Sequence, residues 1–321
     1  MRLPFIPSAA AAFALAWGAF TAAAASPRDT LVVSVAWLAQ HLKDPDLVLL
    51  HVGDKSEYAA AHIPGARFVD AREIAVSEPA GVGNGLTLEM PAADVLREKL
   101  AALGISDHSR IVVYFGKDWL SPSTRVIFTL DYAGLGDRVS LLDGGQPAWV
   151  RDGGAVTAEV PEVRPGTLSP LKTGATVVNA AFLREHGRDK GLTIIDARDS
   201  TFYDGTKSGG RRPDAPKFGH IPGAVSLPFS ETADDQVRLR SADELQARFA
   251  AAGVKPGDTI VAYCHIGQQA TAVIFAARTL GIKALLYDGS FEDWTKSPEA
   301  PLVNPAAAKA PAKEPSTSPV S

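Results

Sequence analysis

Apolar residues occur in short runs that alternate with longer segments of helical periodicity. Runs such as 111–114 and 260–263 are rich in β-branched residues, whereas segments such as 93–102 and 242–252 place apolar residues at helical spacing. Short apolar runs without polar alternation are typical of parallel strands that are buried on both faces. The pattern therefore predicts an α/β fold with mainly parallel sheet flanked by helices.

An internal repeat divides the chain. The pentapeptide His-Ile-Pro-Gly-Ala occurs at residues 62–66 and again at residues 220–224. Matching apolar runs precede both copies, at 47–51 and 192–196, and follow them, at 111–114 and 260–263 and at 141–145 and 286–290. Such self-similarity predicts two copies of one α/β domain.

The composition between and after the copies predicts the boundaries. The first domain is expected at 30–160 and the second at 176–302, joined by a Pro- and Gly-containing linker at 161–175. The Ala, Pro, Lys and Ser composition of 303–321 cannot bury a core, so a disordered tail is expected there.

The N-terminus has the features of an export signal. A basic residue, an apolar stretch and three alanines before Ser26 predict a signal peptide at 1–25, cleaved after Ala25. An uncleaved membrane anchor is the alternative, but alanine is only weakly apolar and the stretch is barely long enough to span a bilayer. We expect a periplasmic or secreted protein without stable membrane insertion after cleavage.

Charge and cysteine content narrow the chemistry. The formal net charge is -4, and the folded region contains no basic block, which argues against a nucleic-acid partner. Exported proteins normally use cysteines in pairs, yet Cys264 is the only cysteine in the sequence. A small buried apolar cysteine is one interpretation, and a functional thiol is the other.

The segment around Cys264 predicts an anion site. Cys264 ends a strand-like run, and the loop that follows leads into a helical pattern; the loop residues are His265, Ile266, Gly267, Gln268 and Gln269. Main-chain N–H groups at the start of a helix stabilise an anion without charged side chains, so a thiolate or a persulfide would be favoured there. We expect the sulfur to lie at the mouth of this loop and not inside the hydrophobic interior.

These motifs together resemble the tandem-domain rhodanese sulfurtransferases, over residues 30 to 302. The resemblance rests on the repeated turn, the segment 196–198, the cysteine loop and the segment 287–294. It implies that the first domain is catalytically silent, in agreement with Phe115 at the position equivalent to Cys264. It also implies that Cys264 carries sulfur from a donor to a thiol, cyanide or sulfite-type acceptor, with no cofactor and no metal.

Departures from the family pattern bear on the donor. His265 and Ile266 stand where thiosulfate-specialised members carry cations, and Phe202 stands where such members often carry arginine. Mercaptopyruvate-specific relatives tend to have glycine directly after the cysteine. His265 stands at that glycine position, so we expect thiosulfate or a persulfide, and not mercaptopyruvate, as the donor. The first domain is expected to supply a wall of the cleft, with the candidates Lys117, Asp118 and Trp119.

Further residues have two interpretations each. Asp196, whose repeat partner is His51, could hydrogen bond the cysteine loop or cap a strand end. Arg198 could supply charge to the site or form an ion pair with Asp196 or Asp199. The insertion 204–217, with Lys207, Arg211 and Arg212, is interpreted as a solvated loop. His62 and His220 occur in both copies, so we interpret them as structural turn residues.

Other functions fit the sequence less well than a sulfurtransferase does. A Cdc25-like phosphatase needs an arginine that clamps phosphate, but Ala270 occupies that position. Metal binding lacks clustered ligands beyond Cys264 and His265. A non-catalytic exported sulfur carrier, redox partner or protein-binding module is the alternative of a different class.

Overall fold

The computed structural model describes residues 26–78, 85–117, 119–210, 216–297 and 299–309. The predicted signal peptide, Asp118, Arg211 and Arg212 lie outside these residues. Within the described ranges, no helix has both the length and the hydropathy needed to cross a membrane.

Two five-stranded sheets form the framework, and each strand pair in them is parallel. The strands of the first sheet are β1 Val32–Val33, β2 Leu47–Val52, β3 Arg67–Val69, β4 Arg110–Phe115 and β5 Val139–Leu142. Those of the second are β6 Val177–Val178, β7 Leu192–Asp196, β8 Val225–Ser226, β9 Thr259–Tyr263 and β10 Ala284–Tyr287. The strand orders, β1-β5-β4-β2-β3 and β6-β10-β9-β7-β8, are equivalent, which confirms the predicted α/β fold of two homologous domains.

Helices cover both sheets. They are α1 Pro27–Leu31, α2 Val35–His41, α3 Lys55–Ala60, α4 Ala93–Ala102, α5 Ser121–Leu130 and α6 Gly145–Arg151 in the first half, and α7 Ala180–His186, α8 Ser200–Tyr203, α9 Ala242–Ala251, α10 Ala270–Thr279, α11 Ser290–Trp294 and α12 Pro305–Lys309 in the second. A short π-helical turn, Asp131–Leu135, follows α5. Local signals start several of these helices. At α9, for example, Ser241 and Glu244 form a capping box that satisfies two otherwise free N–H groups.

The repeated histidines are structural, as the sequence indicates. The His62 ring stacks on Tyr58, with centroids 3.9 Å apart, and its Nδ1 lies 2.6 Å from the Tyr58 carbonyl oxygen. His220 stacks on Tyr203 at 3.8 Å with the corresponding Nδ1 contact at 2.8 Å. Each histidine therefore fastens its turn to the helix that precedes it.

The second domain extends beyond the predicted boundary at 302. His220 and Val303 exchange two main-chain hydrogen bonds, of 2.9 and 3.0 Å, and the Ala306 N–H donates to Asp204. The expectation of disorder from residue 303 is therefore wrong for 303–309, where main-chain pairing holds a segment of low hydrophobicity. His62 and Thr157 form the same main-chain pair in the first domain. A comparison of the two copies could therefore have indicated that a segment near residue 303 pairs with His220.

The linker 161–175 contains no helix or strand, but it is held against the first domain. Leu168 is buried, and the Gly166 N–H donates to the Ala101 carbonyl at 2.8 Å. A side chain at Gly166 would meet the main chain of Ile105, so only glycine permits this approach. The linker is thus packed along its course.

The two domains share one hydrophobic core that includes buried residues from both sheets. Helices α5 and α10 lie side by side at its centre. The hydroxyls of Thr124 and Thr271 are 2.9 Å apart, and Arg278 forms an ion pair of 2.8 Å with Asp131. Both pairs are separated by 147 residues, the offset that relates the two copies in this region. Equivalent positions of homologous helices thus face each other, which gives the chain an approximate twofold arrangement.

Candidate active site

Cys264 lies directly after β9, at the carboxyl edge of the second sheet, where ligands of open parallel sheets bind. Its main-chain N–H donates to the Ser290 hydroxyl oxygen at 3.2 Å, and its carbonyl accepts the Phe291 N–H at 3.0 Å. Ser290 is completely buried and has a φ of 53°, a conformation that costs a non-glycine residue about 1 kcal/mol. The start of α11 therefore holds the cysteine backbone in place.

The loop after Cys264 leaves its amides available. In the described part of the chain, the main-chain N–H groups of residues 265–270 have no acceptor. They precede α10, a helix of ten residues, whose amino end carries a partial positive charge. Unpaired N–H groups followed by a helix form the type of loop that stabilises an anion. That these groups face the cysteine sulfur stays a prediction.

Gly267 makes this loop possible. Its φ is +79°, in the left-handed region that favours glycine, and a Cβ there would lie 2.8 Å from the Asp288 carbonyl oxygen and 3.0 Å from the Arg125 guanidinium. Both the conformation and the lack of space exclude a side chain. The geometry therefore requires glycine at this position.

The exposure of Cys264 differs from the expectation. The residue is only 1 % exposed and belongs to the shared hydrophobic core, and no described group donates a hydrogen bond to its Sγ. The sulfur thus does not lie at an open mouth. Two surface cavities of about 430 and 480 Å³ are lined by other residues.

An ion pair lies beneath the loop. The Arg198 and Asp196 side chains are fully buried, with Nη2 2.6 Å from Oδ2 and Nε 2.9 Å from Oδ1. Burial lowers the pKa of Arg198, but the hydrogen bond and charge of Asp196, with smaller contributions from Tyr263 and Cys264, outweigh it and raise the pKa overall. Of the two interpretations of Arg198, the structure shows the ion pair. The Cys264 charge nevertheless lies within its electrostatic reach.

Asp196 links this pair to the cysteine strand. It accepts the O–H of Tyr263 at 2.7 Å and the main-chain N–H of Arg198 at 3.0 Å. The second contact is the predicted strand-end cap. The predicted hydrogen bond to the cysteine loop is absent from the described residues, because Asp196 reaches only Tyr263, the residue before Cys264. Burial and the Asp196 charge raise the pKa of Tyr263, which keeps its O–H a donor.

The first domain replaces the ion pair with a neutral group. His51 occupies the position of Asp196 and is fully buried, and neither ring nitrogen has a partner among the residues described. Burial, with a smaller contribution from the charge of His62, lowers its pKa to about 4. Gly53 stands at the position of Arg198 and Phe115 at that of Cys264. Thiol chemistry and the charged pair are therefore found in the second domain together.

The loop side chains provide little positive charge. His265 packs edge-on against Phe202 with centroids 4.6 Å apart, and burial followed by the Arg198 charge lowers its pKa. Burial therefore disfavours a positive charge on this ring. Ile266 packs against the core, and the carbonyl of Gln268 accepts the Thr271 hydroxyl at 2.6 Å. The Gln269 Oε1 is buried and lacks a partner within the described chain.

The structure describes two of the three predicted wall residues of the first domain, Lys117 and Trp119, and their role as a wall of the cleft stays a prediction. Trp119 packs edge-on against Phe229 of the second domain with ring centroids 4.9 Å apart. Lys117 is mostly exposed and lies 3.8 Å from Glu57 of its own domain. In the insertion, the Lys207 ammonium lies 5.9 Å from the centroid of the Phe202 ring, which also contacts His265.

Arg125 was not singled out from the sequence. It projects from α5 of the first domain into the second, where Nη1 lies 2.7 Å from Asp288 Oδ1 and donates to the Gly267 carbonyl at 3.1 Å. The signal was available, because Arg125 is the only charged residue of helix 121–130 and a buried arginine must be paired. Its partner was not readable, since Asp288 is 163 residues distant.

Comparisons with known proteins agree with this architecture. The rhodanese-like domain family matches the chain twice, over residues 34–152 and 179–297. A probable 3-mercaptopyruvate sulfurtransferase of Pseudomonas aeruginosa is 32% identical over 276 residues, which cover 83% of this chain and 95% of that protein. A thiosulfate sulfurtransferase of the same organism is 29% identical over 275 residues, covering 85% and 96%.

A solved structure shows the same fold. The crystal structure of YnjE aligns with a TM-score of 0.75 and 23% identity, over 88% of this chain and 70% of YnjE. Fold and site thus define a protein of two rhodanese-like domains, one of which has kept a cysteine at the end of its sheet. The chain belongs to the family of tandem rhodanese-domain sulfurtransferases.

Two other interpretations receive no support. The described residues contain no group of three or more His, Cys, Asp or Glu side chains that could hold a metal ion. The phosphate-clamping position is the buried Ala270, which cannot bind an anion through its side chain.

Proposed function

We propose that this protein is a sulfurtransferase that carries sulfane sulfur as a persulfide on Cys264. The observation that supports this most strongly is the combination of the sole thiol with six consecutive main-chain N–H groups, of residues 265–270, that have no described acceptor. A persulfide is an anion at neutral pH, and such amides stabilise it without a cation. Relatives of the chain are named as sulfurtransferases.

The cycle needs only thiol chemistry. The Cys264 thiolate attacks the outer sulfur of thiosulfate, a new S–S bond forms, and the original S–S bond breaks with its electron pair leaving on sulfite. An acceptor nucleophile then attacks the outer sulfur of the persulfide. The S–S bond breaks again, and its electron pair restores the Cys264 thiolate. Electrons balance in both halves without an external oxidant or reductant.

The second domain performs this chemistry in our proposal, and the first domain supports it. Phe115 excludes a thiol at the equivalent strand end. The first domain contributes Trp119 to the interdomain contact and Arg125 to the cysteine loop.

The donor we favour is thiosulfate or a persulfide. The buried cations near the loop, Arg198 and Arg125, are both engaged in ion pairs, which leaves little uncompensated charge beside the sulfur. Lys207 lies 5.9 Å from the ring of Phe202, the residue that contacts His265, and its positive charge would attract an anionic donor. Relatives are named for both thiosulfate and 3-mercaptopyruvate, so the donor has to be decided by experiment.

We also propose that the protein is exported and acts in the periplasm or outside the cell. The support is the N-terminal segment 1–25, with its basic start, apolar stretch and small residues before Ser26. Cell fractionation and N-terminal sequencing test this proposal. A mature chain that starts at Ser26 in the exported fraction is expected, and an intact N-terminus in the cytoplasm contradicts it.

A donor panel tests the proposed activity. Protein freed of bound sulfur is incubated with thiosulfate, 3-mercaptopyruvate or glutathione persulfide, and intact mass is measured before and after addition of cyanide. We expect a gain of one sulfur atom that cyanide removes, and no gain in Cys264→Ser. If no donor adds sulfur to the wild type, the enzyme is excluded in favour of a non-catalytic exported sulfur carrier or binding module.

A further inference from the structure

The guanidinium of Arg125 is the one described cation that the first domain places on the main chain of the cysteine loop. The residue is fully buried on α5. Its Nη1 is shared between the Asp288 carboxylate, at 2.7 Å, and the Gly267 carbonyl, at 3.1 Å, while Nη2 donates to the Leu88 carbonyl. The arginine therefore joins three segments, of which one is the loop after Cys264.

The contact with the Gly267 carbonyl determines the direction of the next amide. In a trans peptide the carbonyl of one residue and the N–H of the next point in opposite directions. Because the Gly267 carbonyl points at Arg125, the N–H of Gln268 points away from it. Gln268 belongs to the set of six amides that have no described acceptor. Arg125 thus acts on a central peptide of the proposed anion site.

The approximate symmetry of the two domains separates this role from simple domain docking. Asp288 accepts the Met90 N–H at 2.7 Å, and its counterpart Asp143 accepts the Leu239 N–H at 3.0 Å, so both halves have the same carboxylate contact across the interface. Only the first domain contributes an arginine to this contact, because the position of α10 that is equivalent to Arg125 is Ala272. The domain that lacks the thiol supplies the arginine, and the domain that has the thiol receives it.

Orientation, and not charge, is what the contact can provide. Asp288 lies closer to Nη1 than the Gly267 carbonyl does and neutralises the guanidinium. The rigid planar guanidinium can still hold the Asp288 carboxylate and the Gly267 and Leu88 carbonyls at fixed angles, which an ammonium group cannot do. We infer that Arg125 is a positioning residue that holds the Gly267–Gln268 peptide in the orientation that binds the sulfur anion on Cys264. This inference rests on the proposed function.

The experiment compares Arg125→Lys with a matched control. Arg278→Lys alters another interdomain ion pair, with Asp131 at 2.8 Å, on the same two helices but at the far end of α10 from the loop. Both variants keep the positive charge of the side chain but replace the planar guanidinium, with its several fixed N–H donors, by an ammonium group. The measurements are the thermal midpoint, the single-turnover rate of persulfide formation from thiosulfate, and the rate of Cys264 alkylation by iodoacetamide as a function of pH.

We expect the control to lose stability without changing either rate at a temperature where the proteins are folded. Arg125→Lys should form the persulfide about 10- to 100-fold more slowly, which is less than the roughly 10²- to 10³-fold cost of removing an anion donor outright, because the amide is displaced and not removed. Its alkylation profile should move to higher pH, because the thiolate loses a stabilising donor. Asp288→Glu, which keeps both charges but displaces the guanidinium, should give the same changes at smaller size if Arg125→Lys does not fold.

Two results overturn the inference. One is an alkylation profile of Arg125→Lys, or of Asp288→Glu in its place, that matches the wild type. The other is a loss of rate that the Arg278→Lys control shares in full. Alkylation needs no sulfur donor, so it decides on Arg125 even if the wild type forms no persulfide, a result that would refute only the proposed function.

Discussion

Asp196 accepts the phenolic O–H of Tyr263 at 2.7 Å, so the strand that ends at Cys264 is tied through a buried carboxylate to Arg198 on the neighbouring strand end. The carboxylate has two tasks. It neutralises a guanidinium that has no access to water, and it orients the residue that precedes the cysteine.

Replacing this carboxylate should be costly. Asp196→Asn leaves the Arg198 charge buried without a counter-ion, which typically destabilises a protein by about 3–5 kcal/mol. We expect this loss in urea unfolding and slower persulfide formation. Asp199→Asn, which changes an exposed cap of α8, is the control and should cost well under about 1 kcal/mol, because asparagine caps a helix about as well as aspartate. Equal losses of unfolding free energy in the two variants would show that the buried ion pair stabilises the protein no more than the exposed helix cap does.

His51 should make stability fall in mild acid. Its pKa is about 4 in the folded protein and 6.5 when unperturbed, so between these values the unfolded chain binds a proton that the folded chain does not. The contribution is complete above pH 6.5 and is lost as the pH falls towards 4, by about 2–3 kcal/mol. His51→Leu should remove this part of the pH dependence. A wild-type minus variant difference in unfolding free energy that is constant from pH 7 to 4 would contradict it.

Gly267 should tolerate no side chain. In Gly267→Ala the new Cβ would lie 2.8 Å from the Asp288 carbonyl oxygen, and the residue would remain at a φ of +79°. Persulfide formation should fall at least about tenfold, since the loop amides must shift. Gly253→Ala is the control, because its φ is +88° but nothing lies within 4 Å. It should lose about 1 kcal/mol of stability and keep its rate. Equal rates in the two variants would argue against a positioned loop.

The segment 303–309 should contribute to stability. A chain that ends at residue 302 loses two main-chain hydrogen bonds with His220 and one with Asp204. We expect a loss of about 1–3 kcal/mol relative to a chain that ends at 309, as measured by thermal unfolding. Identical midpoints for the two truncated proteins would mean that the segment adds nothing to the fold.

Much of the architecture was readable from the sequence because it depends on local patterns. Buried parallel strands require continuous apolar runs, and the duplicated turn with His62 and His220 marks two equivalent units. Cys264 stands out because it is the sole cysteine at the end of a strand, and Gly267 because a tight loop requires it. These features depend on residues that are neighbours in the chain.

Contacts between distant residues were decided only in the tertiary structure. Arg125 and Asp288 are 163 residues apart, and the choice between ion pair and free cation for Arg198 depends on which carboxylate the fold brings within reach. The burial of Cys264 follows from the packing of both domains around one core, and the order of 303–309 follows from pairing with His220. The sequence by itself determined the two α/β units and the residue that can carry sulfur. The tertiary structure decided which charges compensate each other and how covered the sulfur is, since burial and ion pairing depend on distances between segments that no local pattern encodes.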